Sequence, residues 1–192
     1  MKRLLVTGAA GGLGSLARRR LTDLAEILRL SDIAPLGSAA AHEELAPCDL
    51  ADFAAVQALV SGCDGIVHFG GVSVERSWAE ILPANIVGTY NIYEAARLQG
   101  VKRVFFASSN HAIGFYKRET RIDATDPVRP DSLYGVSKCF GEALAALGTR
   151  HQTVHDQLDG VHQEVRQKHP RCQHEHPGAQ LRDVPLRTAN TR

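Results

Sequence analysis

Cysteine is scarce and scattered in this 192-residue chain. Cys48, Cys63, Cys139 and Cys172 stand far apart, with no CxxC pair. That argues against a structural zinc site or a disulfide framework and fits a reducing, cytoplasmic compartment. Long apolar runs are missing too: no stretch reaches the roughly 18 residues that a membrane span needs. The opening MKRLLVTGAAGG is too short in apolar residues for a signal peptide. An excess of either charge is also absent, because the formal net charge is +1. Nothing therefore draws the chain to nucleic acid or to an anionic membrane. Hydrophobic residues make up 44%, enough for the core of one domain with or without a tail.

Up to about residue 147, short apolar runs alternate with helical patterns. Strands are expected at 3–8, 26–32, 43–50 (weakened by Pro47), 64–71 and 102–110. Helices are expected at 13–24, 51–62, 78–100 and 132–147. In the first helix Leu13, Leu16, Ala17 and Leu21 share one face. Nearly continuous apolar strands separated by helices indicate a parallel sheet covered on both faces.

The turn VTGAAGGLG after the first strand carries Gly8, Gly11 and Gly14, with Gly12 and Leu13 between the last two. Glycine first permits the tight turn, then lets backbone approach a pyrophosphate, then lets helix and strand pack closely. The helix N-terminus offers N–H groups to the phosphates. A strand before and a helix after make this a dinucleotide-binding turn rather than a chance glycine cluster. Asp32 ends the second strand, 18 residues after Gly14. An acid there can accept both ribose hydroxyls and repel a 2′-phosphate, which favours NAD over NADP. The competing reading of Asp32 is a loop cap. Asp49 and Leu50 fall where the adenine edge would lie. The fold class is therefore α/β, a Rossmann-type doubly wound parallel sheet.

Tyr134 and Lys138 are four residues apart, on one helix face. A phenol ordinarily titrates near pH ~10. An ammonium and a cationic nicotinamide beside it both favour the phenolate. Tyr134 can thus serve as a general base, with Lys138 tuning it and holding the ribose. Such a pair is common on helix surfaces, and its weight comes from the glycine turn, the ribose acid and the FASSNH strand end. In open α/β sheets ligands bind beyond the carboxyl ends of strands. That puts Ser109 by the reacting oxygen and Asn110 and His111 along the substrate, although an idle loop histidine remains open for His111. Ser108 is assigned to the cofactor. Gly70 and Gly71, in HFGGVS, leave room for the cofactor, and Ser73 reaches a substrate hydroxyl or carboxylate. Asn85, a poor helix former, bonds backbone or water near the site or is simply structural.

TGAAGGLG, SDI, CDLAD, FASSN and YGVSK together resemble the extended short-chain dehydrogenase/reductase family, the NAD-dependent epimerases and dehydratases. The longer stretches CDGIVHFGGVSVE, FASSNHAIG and RPDSLYGVSKCFGE resemble its uronate-oxidising members most. The likeness covers about residues 1–146. It implies NAD-dependent oxidation of a hexuronic acid, galacturonate or glucuronate, at C1 to the aldarolactone. It also implies that Tyr134 is the base, that Ser109 orients the oxygen, and that Lys138 bonds the nicotinamide ribose. By the same likeness Ser73, Asn110 and His111 hold the sugar acid. Gly8, Gly11, Gly14, Asp32, Asp49 and Leu50 hold the cofactor. Relatives pair through helices of the fourth and fifth crossovers, so a homo-oligomer is a further expectation. The same trio serves nucleotide-sugar epimerases and dehydratases, and an NAD-binding remnant without turnover is a third reading.

From residue 147 onward there is no Phe, Trp, Tyr, Ile or Met, and six of the nine histidines lie there. Residues 1–147 read as the NAD-binding domain and 148–192 as an atypical, poorly ordered tail. The abrupt change points to a shifted reading frame or a mis-set gene end. The sheet is then incomplete, with exposed apolar faces and low stability. Arg166 and Arg171 take no substrate role. Cys172, His174 and His176 alternate as soft-metal ligands in a strand would, but no second ligand pair accompanies them, so no metal is expected.

Overall fold

Strand β1 (Arg3–Thr7) is apolar on both faces, and this makes it the centre of the sheet. Leu5 packs with one set of helices, Leu4 and Val6 with the other. The computed structural model describes residues 1–150. Around β1 stand β2 (Ile27–Ser31), β3 (Glu43–Leu45), β4 (Gly65–His68) and β5 (Val104–Phe106). All pairings are parallel and the order is β3-β2-β1-β4-β5. The order reverses between β1 and β4, which opens a crevice at the carboxyl ends of those two strands.

Helix α1 (Gly12–Arg20) covers the Leu4, Val6, Leu28 and Leu30 face. Helices α2 (Phe53–Val60) and α4 (Gly88–Leu98) cover the other, around Leu5, Val56, Ile66, Ile92 and Val104. Helix α5 (Leu133–Arg150) follows β5 after a long irregular segment, and a short α3 (Trp78–Ile81) precedes α4.

Several expected elements differ. The strand expected at 43–50 stops at Leu45, before Pro47, and the one at 102–110 shrinks to Val104–Phe106. Ion pairs hold the short edge strand: Arg18–Glu43 at 2.7 Å and Arg29–Glu44 at 2.9 Å. The expected single helix at 78–100 is broken by a π-helical segment, Leu82–Val87. Pro83 has no N–H to give the α-helical ladder, so one bond is already lost there. In α1 the buried residues are Gly14 and Ala17; Leu13 is 60% and Leu16 41% exposed, against the expected apolar stripe. Gly14 decides this. A Cβ there would run into Gly8 O and lie 2.6 Å from Ala9 Cα, so the small-residue face sits on the turn.

The expected boundary at 147/148 falls inside α5. The remaining tail readings, including Arg166, Arg171, Cys172, His174 and His176, lie outside the described residues. Among the described residues no helix is long and apolar enough to cross a membrane.

Candidate active site

The glycine turn lies at the crevice. Gly8 adopts φ +68°, and a Cβ on it would stand 2.7 Å from Phe69 C and 2.8 Å from Gly70 N, so β1 and β4 can close only around glycine. Gly11 is the N-cap of α1 and has no side chain to cap it. A methyl group added at Gly12 would have nothing within 4 Å, and Leu13 is exposed beside it. The first turn of α1 therefore presents backbone N–H groups and a positive dipole end with room for an anion.

Asp32 accepts Ala10 N through Oδ2 and Ala34 N through Oδ1, both at 2.9 Å. It thus caps its own loop and pins the glycine turn. Each carboxylate oxygen keeps a second lone pair for a hydroxyl donor. Asp49 serves its local turn, accepting Ala51 N at 2.9 Å. Leu50 packs on Gly70 and Gly88, where Cβ atoms would lie 2.5 Å from Leu50 Cδ1 and 2.8 Å from Leu50 Cβ. A Cβ on Gly71 would meet Asn85 Oδ1 at 2.9 Å. The missing side chains of Gly70 and Gly71, expected to leave space for the cofactor, thus make room for Leu50 and Asn85.

Helix α5 brings Tyr134 and Lys138 to the end of β5, buried to 7% and 9% exposure. Lys138 Nζ donates to Ala107 O at 2.9 Å, directly after β5. It stands 4.9 Å from the Phe106 ring centroid and 5.5 Å from that of Tyr134. Burial pulls the Lys138 ammonium down to about 8. The two ring faces offset part of that cost.

The segment after β5 curls against the start of α5. Ser109 caps a 3₁₀ turn, Asn110–Ile113, accepting His111 N at 3.2 Å and donating to Asn110 Oδ1 at 3.3 Å. The His111 ring meets the Tyr134 ring edge-on, centroids 5.5 Å apart, and its Nδ1 lies 2.8 Å from Asp131 Oδ1. This partner holds the Asp131 carboxyl below its ordinary range. Ser108 donates to Glu142 on α5. Tyr134, Lys138, Ser109, Asn110 and His111 therefore share one end of the sheet. Ser73 is exposed on the loop after β4.

Two features escape a reading of the sequence, His68 and Glu75, and a third, Asn85, it leaves between two roles. His68, at the end of β4, is buried between Thr7 Oγ1 (2.7 Å) and Thr89 Oγ1 (3.3 Å). Burial, then the charge of Lys138, pushes it down to about 3, so the ring is neutral. A histidine closing an apolar strand is the available signal. Asn85 is structural: Oδ1 accepts Val72 N at 2.7 Å, and Nδ2 donates to Val72 O at 2.9 Å and Ser137 Oγ at 3.0 Å. Glu75 bonds the start of α5 across 58 residues, a contact that no local pattern announces. A groove between β3 and α2, lined by Arg29, Glu44, Pro47, Cys48 and Leu59, includes none of these side chains. Among the described residues no group of three or more His, Cys, Asp or Glu can hold a metal ion.

Residues 4–154 match the NAD dependent epimerase/dehydratase family. The chain belongs to that family. It is 62% identical over 146 residues to the uronate dehydrogenase of Pseudomonas putida, covering 76% of this chain and 54% of that one. The uronate dehydrogenase of Agrobacterium fabrum is 60% identical over 147 residues, 77% of this chain and 56% of that one. The crystal structure of uronate dehydrogenase from Agrobacterium tumefaciens superposes with a TM-score of 0.78 at 58% identity, covering 80% of this chain and 58% of that chain. A mutant of that enzyme complexed with NAD gives the same TM-score. The chain spans about half the length of the curated relatives it matches. The open first turn of α1 at Gly12 and the two-sided Asp32 carboxylate fit a dinucleotide.

Proposed function

We propose that the chain binds NAD across the β1/β4 crevice and carries the proton- and hydride-transfer half of a hexuronate dehydrogenase. The observation that supports this most is the convergence of Tyr134, Lys138 and the Ser109–His111 turn at the end of β5, on the same edge of the parallel sheet as the glycine turn after β1. The high identity to uronate dehydrogenases over the same residues favours a hexuronic acid as substrate. Galacturonate and glucuronate are the two candidates.

NAD, when bound, supplies a hydride acceptor at C4 of its nicotinamide. The Gly11–Gly14 turn holds the pyrophosphate by backbone N–H groups, and Asp32 accepts the adenosine ribose hydroxyls. Asp49 and Leu50 border the adenine, with Gly70, Gly71 and Ser108 along the cofactor's far half. Ser73, Asn110 and His111 orient the sugar acid, and Ser109 donates to the C1 oxygen. Tyr134 takes the proton of the C1 hydroxyl while the C1–H bond gives up its electron pair, so C1–O becomes the lactone carbonyl. Lys138, beside the Tyr134 ring, favours the phenolate and donates to the nicotinamide ribose. Each turnover then yields one lactone, one NADH and one proton.

The test is NADH absorbance with galacturonate or glucuronate and NAD. Turnover in the wild-type chain, lost by about 10²-fold or more in Tyr134→Phe, supports the reading. NAD binding without turnover on either acid contradicts the catalytic part of it.

A further inference from the structure

The backbone of Tyr134 is tied at both its polar groups to one loop, residues 71–77, that follows β4. Its N–H donates to Glu75 Oε2 at 2.8 Å, and the neighbouring Leu133 N–H donates to Glu75 Oε1 at 3.2 Å. Its carbonyl accepts Ser137 Oγ at 2.6 Å. Ser137 Oγ in turn accepts Asn85 Nδ2, and Asn85 brackets both polar groups of Val72. The two ties leave the loop at Val72 and Glu75, and Ser73 lies between them.

The first four N–H groups of a helix have no partner within it. In α5 three of them, from Leu133 to Gly135, find side-chain acceptors. Ser132 serves one, its Oγ accepting Gly135 N at 3.0 Å, while its carbonyl accepts Val136 N at 2.9 Å as the first bond of the helical ladder. Glu75 serves the other two, from 58 and 59 residues away. A carboxylate suits this end of the helix dipole, and its two oxygens match two successive N–H groups as one hydroxyl or amide oxygen cannot.

We infer that Glu75 is a positioning residue: by closing the first turn of α5 from the Ser73 loop, it sets the Tyr134 phenol relative to Ser73. Resting on the reaction proposed above, this makes Glu75 act on the chemical step without touching substrate or cofactor. Removing the carboxylate frees the two N–H groups and cuts one of the two ties, while the Asn85–Ser137 tie keeps the loop near.

Glu75→Ala and Glu75→Gln in the full chain test this, each by amide hydrogen exchange and by steady-state kinetics on glucuronate. In Glu75→Ala the Leu133 and Tyr134 amides exchange about tenfold faster or more, with Ser137–Ala146 unchanged. Its kcat falls about tenfold or more, with Kd for NAD within about twofold of wild type. Glu75→Gln, which keeps one acceptor oxygen, recovers part of both. Unchanged exchange at Tyr134 overturns the inference, and so does acceleration spread evenly along α5 with a matching fall in NAD affinity, which is what general destabilisation gives. If neither wild type nor variant turns over a hexuronate, the reaction assignment fails, and the exchange result still decides whether Glu75 holds Tyr134.

Discussion

Replacing Gly14 by alanine adds a single methyl group, yet it lands on backbone. The new Cβ would lie 2.7 Å from Gly8 C and 2.6 Å from Ala9 Cα, with Gly8 O closer still. None of these atoms can rotate away, so α1 must lift off the turn. Overpacking of a core costs about 1–3 kcal/mol, and a collision with fixed backbone belongs at or beyond the upper end, about 3 kcal/mol. For a chain of this length that lowers Tm by about 6–12 °C. The control is Gly12→Ala two residues earlier, where the methyl meets nothing within 4 Å. Replacing a helical glycine there leaves stability equal or raises it by up to about 1 kcal/mol. Under the proposed cofactor placement, however, that methyl stands where the pyrophosphate approaches, and NAD affinity falls about tenfold, or about 1.4 kcal/mol. Urea melts and NAD calorimetry on both variants separate the two effects. Gly14→Ala melting within about 0.5 kcal/mol of wild type refutes the packing argument. Gly12→Ala binding NAD as wild type does refutes the pyrophosphate placement.

Two more outcomes follow from buried charge. Lys138, held near 8 in the fold against 10.5 ordinarily, leaves the unfolded chain with more bound protons between those values, so its contribution to stability rises with pH there. The difference in unfolding free energy between wild type and Lys138→Met should grow by about 3 kcal/mol from pH 8 to 10.5, and a flat difference contradicts the burial argument. His68, pushed to about 3 from 6.5, follows the same sign: its share of stability is lost as pH falls through that window, read from acid melts of wild type against His68→Gln. Asp32→Ala loses the acceptor of Ala10 N and Ala34 N and the charge facing a 2′-phosphate. NAD then binds about tenfold or more weakly and its preference over NADP shrinks, as paired titrations would show; an unaltered preference removes Asp32 from the ribose.

The parts of the site that the sequence exposes are those whose meaning is local. Gly8 and Gly14 sit in one turn, Tyr134 and Lys138 one helical turn apart, and Ser109 to His111 directly after a strand, so spacing alone brings them together. Residues that work through distant partners stay hidden or, like Asn85, show without their partners. Glu75 reaches 59 residues to Tyr134 N, Asn85 reaches 52 to Ser137, and His68 reaches 61 to Thr7. Apolar periodicity also misleads in α1, because it counts Leu13 and Leu16 as core and cannot see that Gly14 turns the helix onto its small-residue face. The single helix expected over 78–100 fails for a related reason. Its periodicity is sound on both sides of Pro83, but the missing N–H is absorbed by a π segment that also carries Asn85 to Val72. At Gly70 and Gly71 the pattern suggests space for a cofactor, whereas their Cβ directions point at Leu50 and Asn85.

The central claim is that the site at the ends of β1, β4 and β5 moves a hydride from C1 of a hexuronic acid to NAD. Glucuronate carrying deuterium at C1 tests it most directly, with the nicotinamide C4 position read by NMR after incubation with the chain and NAD. The account predicts deuterium on C4 with wild type and none above background with Tyr134→Phe. NAD that remains unlabelled and oxidised with the wild-type chain contradicts it.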